Sequence, residues 1–319
     1  MDNTKDILIT LIVPTYNEEK GINEFYRRVK SVLNSLKPGF SHEIIFINDF
    51  STDRTYEVLK KLSSSDSCVK LINFSRNFGN QIAITAGIDH AKGDIAIIID
   101  DDLQDPPELI PKFIEKWQLG YKVVYGVRPN RKGVNPFFKF FAKIYYRIMR
   151  TLSETQIPED TGDFRLIDKS VIAVLRKMRE ESRYYRGLVS WVGFKQIGVE
   201  YQRDRRYSGS STFSALKYLK FAVNGIVSFT DGPLYISCTL GLIVTTISFI
   251  FLLSLAVIKV VNPSFSIPGW PSMIMAVLFF GGIQLLSIGI VSIYISKIYR
   301  EVKGRPLYII DETSNFIDP

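Results

Sequence analysis

Three consecutive aspartates, Asp100, Asp101 and Asp102, end an apolar run that extends from Ile95 to Ile99, and Leu103, Gln104, Asp105, Pro106 and Pro107 follow them. Adjacent carboxylates repel one another, so a cluster of this kind calls for a compensating cation. The β-branched run reads as a strand buried on both faces. Side chains alternate along a strand, so Asp100, Asp102 and Gln104 are expected on one side and Asp101 on the other. Three oxygen ligands on one side suit a hard divalent cation, Mg2+ or Mn2+, which keeps open positions for substrate phosphates. The plainer alternative is a polar strand end before a helix that the two prolines open. Two sharper alternatives fail. An EF-hand loop starting at Asp100 needs glycine at 105 and glutamate at 111, where the chain has Asp105 and Pro111. A nucleotide-hydrolase strand needs a G-x-x-x-x-G-K-[ST] loop, and the chain has none.

The elements that must hold this edge alternate in kind. Ile7 to Val13 reads as a first strand, closed by Pro14, Tyr16, Asn17 and Glu18, and residues 19–36 have helical apolar spacing. His42 to Asn48 reads as a second strand, ending in Asp49-Phe50-Ser51-Thr52-Asp53, where Ser51 or Thr52 can cap the next helix. Val69 to Phe74 is a third strand, followed by Arg76-Asn77-Phe78-Gly79 and a helix to His90; the aspartate strand is fourth, and Lys122 to Val127 fifth. Strands alternating with helices predict an α/β fold with a mostly parallel, doubly wound sheet. Ligands of such sheets bind beyond the carboxyl ends of the strands, where these polar residues cluster.

The formal charge of +8 over 319 residues points to an anionic partner: nucleotide, phosphate or membrane surface. Cys68 and Cys238, with His42 and His90, make neither a disulfide framework nor a zinc site. Asp2, Lys5 and Asp6 precede only a short apolar run, so no signal peptide is read there. Residues 232–258 carry no charge, and residues 260–296 carry none either, with a turn at 262–272. About 20 apolar residues cross a bilayer core, so the chain is expected to carry a two-helix membrane hairpin, roughly 233–258 and 273–296. Lys297, Arg300, Lys303 and Arg305 follow the second span, against Lys259 at the edge of the loop. By the positive-inside rule both termini then lie in the cytosol. Aromatic and basic residues at helical spacing over 136–152 suit a helix in the membrane interface, the alternative being a packing helix with solvated lysines. The expected division is 1–209 as a cytosolic domain, 210–231 as a juxtamembrane segment, 232–299 as the hairpin and 300–319 as a cytosolic tail.

At this point a resemblance becomes specific. Val13-Pro14-Thr-Tyr16-Asn17-Glu18, Asp49-x-Ser51-Thr52-Asp53, Asn77-Phe78-Gly79 and Asp100-x-Asp102-Leu103-Gln104-x-Pro106-Pro107 resemble the motifs of family 2 nucleotide-sugar glycosyltransferases of the GT-A, Rossmann-like fold. Gly162-Asp163-Phe164-Arg165-Leu166, Arg206-Tyr207-Ser208-Gly209-x-Ser211 and the two-span tail are similar to its polyprenyl-phosphate branch. That branch includes bactoprenol glucosyltransferases of the GtrB type and dolichol-phosphate mannose synthases. The resemblance implies a nucleotide held at Pro14, Tyr16, Glu18 and Asp49, a catalytic role for Asp100, Asp102 and Asp163, and a metal on Asp100, Asp102 and Gln104. Two departures stand out: Asn48 and Phe50 where the family usually has an acid and a glycine, and Thr212 where it often has lysine.

The reading is a membrane-bound, metal-dependent inverting transferase. It would carry a sugar, glucose from UDP-glucose first, to a polyprenyl (undecaprenyl) phosphate at the cytosolic face of the inner (plasma) membrane. GDP-mannose and dolichyl phosphate are the alternative pair. Arg128, Lys139 and Arg206, with Ser211, are the candidates to hold acceptor or diphosphate oxygens. No nucleic acid is expected as a partner, and a homo-oligomer is compatible with the reading. A processive polysaccharide synthase would carry Gln-x-x-Arg-Trp, which is absent. An inactive membrane scaffold, the rival from another class, is opposed by the intact Asp100/Asp102 pair. A channel is opposed by spans without an ionisable residue.

Overall fold

The computed structural model describes residues 6–128, 158, 161–181, 183–202, 232–262 and 269–316. The expected interfacial helix at 136–152 and juxtamembrane segment at 210–231 lie outside the described residues, as do Lys139, Arg206 and Ser211.

Eight described strands form one sheet: β1 (Ile7–Thr15), β2 (Phe40–Asn48), β3 (Val69–Phe74), β4 (Ile95–Ile98), β5 (Val123–Val127), β6 (Thr161–Asp168), β7 (Gln196–Glu200) and β8 (Ile310–Ser314). Their order across the sheet is β7-β5-β6-β4-β1-β2-β3-β8. β1 pairs in parallel with β2 and with β4, β2 with β3, and β5 with β7; β6 runs antiparallel to β4 and β5, and β8 antiparallel to β3. The mostly parallel α/β sheet is therefore present, with two reversed strands that the apolar pattern did not reveal.

The apolar runs are continuous because both faces of the central strands are covered. Ile95, Ile97 and Ile99 face one core with Leu11, Val13 and Phe46, whereas Ala96 and Ile98 face a second with Ile12 and Ile45. Helices α1 (Ile22–Asn34), α2 (Thr55–Ser65) and α4 (Ile110–Gln118) cover the first face. Helices α3 (Asn80–His90), α5 (Lys169–Lys177) and α6 (Tyr185–Trp191) cover the second. In α1 the buried residues Ile22, Phe25, Val29, Val32 and Leu33 recur at helical spacing and make the stripe that holds it to the sheet. Burying each such side chain contributes about 1.5–3 kcal/mol. Ser51 and Thr52 do not cap α2; Asp53 Oδ1 accepts from Thr55 N at 3.0 Å, and the two hydroxyl residues bind the neighbouring loop.

Helices α7 (Gly232–Val261) and α8 (Trp270–Val302) are longer than the expected spans at both ends. Their stretches Ser237–Leu255 and Phe279–Val302 are long and apolar enough to cross a membrane, and none of their described residues is buried. The C-terminal segment is no separate tail: after α8 the chain returns to the sheet, and β8 becomes its edge strand beside β3.

Candidate active site

The order β3-β2-β1-β4 reverses direction at β1, so the loops after β1 and β4 diverge and leave a crevice at the carboxyl edge between them. Because β6 is antiparallel, its first residues lie at the same edge, with Arg165 opposite Ile98 in register. This is why Asp163, remote in sequence, comes to the edge that carries the aspartate turn.

The β1 and β2 loops are interlocked. Asn17 N donates to Ser51 Oγ at 3.0 Å, Thr52 N donates to Asn17 Oδ1 at 2.8 Å, and Glu18 N donates to Thr55 Oγ1 at 2.9 Å. Asn17 and Phe50 both have left-handed backbone, at φ 54° and 59°. That conformation costs a bulky residue energy, and here the fixed neighbours on either side impose it. Tyr16 and Phe50 consequently stand at the edge about half exposed, at 47% and 48%. Pro14 is buried within β1, opposite Ile47, at the strand end.

Asp49 is buried, and both of its oxygens are engaged: Phe78 N donates to Oδ1 at 2.7 Å and Gly79 N to Oδ2 at 2.8 Å. Burial pushes this carboxyl up from its ordinary range, against the pull of those two N–H groups and of Arg76. Gly79 takes φ 95°, which glycine adopts without cost, and so opens α3 directly from the loop that Asp49 holds. Asp49 thus builds the edge through the backbone of residues 78–79.

The strand β4 ends at Ile98, so the three aspartates sit in a turn beyond it and not on the strand, and Leu103 in that turn has φ 59°. Asp101 nevertheless turns inward, as alternation suggested, and is buried. Its carboxyl is pushed well up, first by burial and then by Glu18, Asp100 and Asp102, with the Thr15 hydroxyl opposing; its Oδ2 has no hydrogen-bond partner. Asp102 Oδ1 accepts from Gln104 N at 3.1 Å. Asp100 Oδ1 accepts from Asn80 Nδ2 at 3.4 Å. Among the described residues no three acid, histidine or cysteine side chains form a ready-made cation cage. Two carboxylates and an amide oxygen at one turn still fit a hard cation that completes its shell with water and phosphate oxygens.

Arg128, expected at phosphate oxygens, is engaged within the protein. Its guanidinium pairs with the fully buried Asp105, Nη2 lying 3.0 and 2.9 Å from the two oxygens, and its Nε donates to Tyr201 Oη at 2.6 Å. Tyr201 also donates to Asp105. A Cβ at Gly162 would meet the Arg128 guanidinium at 2.1 Å, which accounts for glycine there. Arg128 therefore ties the aspartate turn to β5 and to the residue after β7.

Asp163 is held by Arg186, whose Nε lies 2.8 Å from Oδ1, and by Gln81, whose Nε2 lies 3.4 Å from Oδ2. Gln81 also reaches Asn80 Oδ1 at 3.3 Å, and Asn80 touches Asp100. Burial opposes ionisation of Asp163, but Arg186, then Arg165 and Arg128, hold its carboxyl below the usual range. Asn80, Gln81, Asp105 and Arg186 escaped the sequence reading. The first two directly follow the Asn77-Phe78-Gly79 motif, a usable signal; nothing in the sequence marks Arg186.

Residues 10–176 match the family described as "Glycosyl transferase family 2". The chain belongs to glycosyltransferase family 2. It is 45% identical over 310 residues, 97% of this chain and 95% of the other, to "Uncharacterized glycosyltransferase YkcC" of Bacillus subtilis. It is 41% identical over 307 residues, 96% of this chain and 98% of the other, to the "SfII prophage-derived bactoprenol glucosyl transferase" of Shigella flexneri. Among solved structures, glucosyl-3-phosphoglycerate synthase from Mycobacterium tuberculosis with Mn2+ and UDP-glucose aligns at 15% identity and a TM-score of 0.45, covering 69% of this chain and 77% of that one. The family 2 chain is thus a glycosyltransferase.

Proposed function

We propose that this glycosyltransferase moves glucose from UDP-glucose to the phosphate of a polyprenyl phosphate, undecaprenyl phosphate first, at the cytosolic face of the membrane and with inversion at the anomeric carbon. The observation that carries the reading is a single edge. The aspartate turn, Asp163 and the exposed Tyr16 converge there, on a sheet whose last strand is joined directly to an apolar helical hairpin. An acceptor of that class has a charged head and a tail that resides in lipid, which suits a sheet anchored beside a bilayer. The name of the Shigella relative, a bactoprenol glucosyl transferase, supports the same acceptor and sugar.

Tyr16 offers an exposed aromatic face to a flat base, and Glu18 lies beside the aspartate turn. Asp100, Asp102 and Gln104 would hold a divalent cation, Mg2+ or Mn2+, which when bound supplies positive charge to a leaving diphosphate. An acceptor phosphate oxygen attacks the anomeric carbon from the side opposite UDP. The new C–O bond forms as the bond to the diphosphate breaks, and UDP departs with the electron pair. The attacking oxygen is already an anion, so the reaction needs no residue to remove a proton. Arg206, Lys139 and Ser211 remain the proposed partners of the phosphates, while Arg128 is left to Asp105.

The test is a donor panel of UDP-glucose, UDP-galactose and GDP-mannose against undecaprenyl phosphate and dolichyl phosphate in detergent, with and without Mn2+. The expected product is a β-linked glucosyl lipid, formed from UDP-glucose and undecaprenyl phosphate and lost on metal chelation. A mannosyl lipid, an α linkage or undiminished turnover under chelation would each overturn the corresponding part.

A further inference from the structure

Asp163 is the focus of more positive charge than a single ion pair requires. Its side chain is 13% exposed. From α6, Arg186 places Nε 2.8 Å from Oδ1 and Nη2 3.3 Å from Oδ2, a two-point grip. From β6 itself, Arg165 lies 4.0 Å from Oδ1, anchored by donation to Gly162 O at 2.9 Å. Just after β5, Arg128, itself paired with Asp105, adds a more distant charge. From α3, Gln81 gives Nε2 to Oδ2, while its Oε1 accepts from Tyr185 N at 2.8 Å. Gln81 therefore fixes the start of α6 one residue from Arg186, as well as touching the carboxylate. Three elements, β6, α6 and α3, define the position of one acid.

A buried ion pair tying β6 to α6 would be the plain account, since a buried carboxylate needs a partner in any fold. Two features go beyond it. The planar, forked guanidinium grips both oxygens and so sets orientation as well as charge. The grip is also connected to the metal-type turn, through Gln81, Asn80 and Asp100.

We propose that Arg186 and Gln81 are positioning residues that keep Asp163 ionised and fixed in orientation, so that it serves as a hydrogen-bond acceptor for a hydroxyl of the donor sugar and not as a proton-abstracting base. The proposal rests on the reading of the edge as a sugar-transfer site. A carboxylate stabilised by two guanidinium groups is a poor base, and an acceptor that attacks as a phosphate anion asks for none. A fixed acceptor has a different use: it orients the sugar ring so that the anomeric carbon faces the incoming oxygen.

The experiment compares wild type with Arg186→Ala, Arg186→Lys and Gln81→Met in detergent, each scored per folded molecule. Turnover and donor KM are measured from pH 5 to 9. In parallel, the carboxyl of Asp163 is titrated by 13C NMR, assigned through its loss in Asp163→Asn. Arg186→Ala is expected to cut kcat at least tenfold with donor KM changed less than threefold, and to raise the carboxyl midpoint and the acid limb of the rate profile together by at least one pH unit. Arg186→Lys should restore the midpoint but only part of kcat, because it returns charge without the two-point grip. Gln81→Met, which keeps the cation, should lower kcat with a smaller change in midpoint. If Arg186→Ala lowers only thermal stability, with kcat per folded molecule and the carboxyl midpoint as in wild type, the pair is structural and the proposal is wrong. If Arg186→Ala does not fold, the Lys and Met variants decide by the same criteria. Should wild type glucosylate no polyprenyl phosphate, the acceptor reading fails, while the NMR titration still decides the clamp.

Discussion

Asp49 and Asp102 are both buried acids at strand ends, yet their substitution by asparagine should have opposite signatures. Asp49 accepts from two consecutive backbone N–H groups, so one amide nitrogen in its place would face an N–H donor. Hydrogen bonds to a charged group contribute about 1.5–3 kcal/mol, and losing one beside the start of α3 should lower the melting temperature by roughly 4–8 °C. Scanning calorimetry of Asp49→Asn checks this, and an unchanged transition would show that the 78–79 loop holds without the charge. Asp102→Asn should instead melt within about 2 °C of wild type, since Asn keeps an oxygen for Gln104 N. Its turnover at limiting Mn2+ should fall at least a hundredfold, or about 2.7 kcal/mol in the barrier. Near-normal turnover would remove Asp102 from the metal site. Both acids were legible as candidate site residues from their place just beyond strands. Which oxygens face backbone was not, because that depends on a loop from another strand. The same limit applies to Arg128, whose partner Asp105 is 23 residues away.

At the scale of elements, legibility followed burial. β1 to β5 were readable because strands covered on both faces are continuous apolar runs. β6 was not: it carries Asp163, Arg165 and Asp168 among its apolar residues, so it reads as a motif and not as a strand. β8, Ile-Asp-Glu-Thr-Ser, is a polar edge strand whose partner β3 lies some 240 residues earlier. A joint between elements offers a pH test. Asp66, at the end of α2, accepts from Tyr26 Oη at 2.7 Å, Lys30 Nζ at 2.6 Å and Cys68 N at 2.9 Å, so it fastens α1, α2 and β3 together. Burial works against its charge, but Lys30, Tyr26 and the Cys68 N–H outweigh it and hold the carboxyl well below the usual range. A carboxylate depressed in the fold stabilises above its unfolded pKa, near 3.9, and that contribution is lost as pH falls through the folded value. Asp66→Asn is therefore expected to melt about 3–6 °C below wild type at pH 7, with the gap beginning to narrow below about pH 4 and closing only as pH falls through the folded value, well below 3. A gap independent of pH would mean that shape, and not charge, makes the joint.

At the scale of the whole molecule, the hairpin is enclosed by the sheet: the chain leaves it after β7, traverses α7 and α8, and re-enters it at β8. This connectivity predicts that both ends of the hairpin lie on one side of a membrane. With Cys68 and Cys238 replaced, an impermeant thiol reagent on intact cells should label Ser266→Cys and spare Thr313→Cys in β8. The reverse pattern would invert the orientation, and equal labelling would dismiss the hairpin.

The re-entry is also a mechanical joint. Tyr308 stacks on Phe74 with ring centroids 5.4 Å apart and donates to Asp89 at 2.9 Å; Ser75 N donates to Ile309 O at 3.1 Å; Glu312 meets Lys60 at 2.9 Å; and Asn315 Nδ2 donates to Val69 O at 2.8 Å. Phe74 and Ser75 immediately precede the loop whose N–H groups hold Asp49 and whose next residues, Asn80 and Gln81, touch Asp100 and Asp163. The last strand therefore braces this edge from outside. Ending the chain after Gly304 retains both apolar helices and removes only this brace. The truncated protein is expected in the membrane fraction, melting about 5–10 °C lower, as loss of roughly 2–3 kcal/mol implies for a domain of this size. Its turnover should drop at least tenfold below the melting range, because the 76–81 segment loses its outer support. Tyr308→Ala, which keeps the strand, should show a smaller loss in the same direction. A truncated protein that sits in the membrane and transfers sugar at the wild-type rate would reduce β8 to an edge cover, with no part in holding the site.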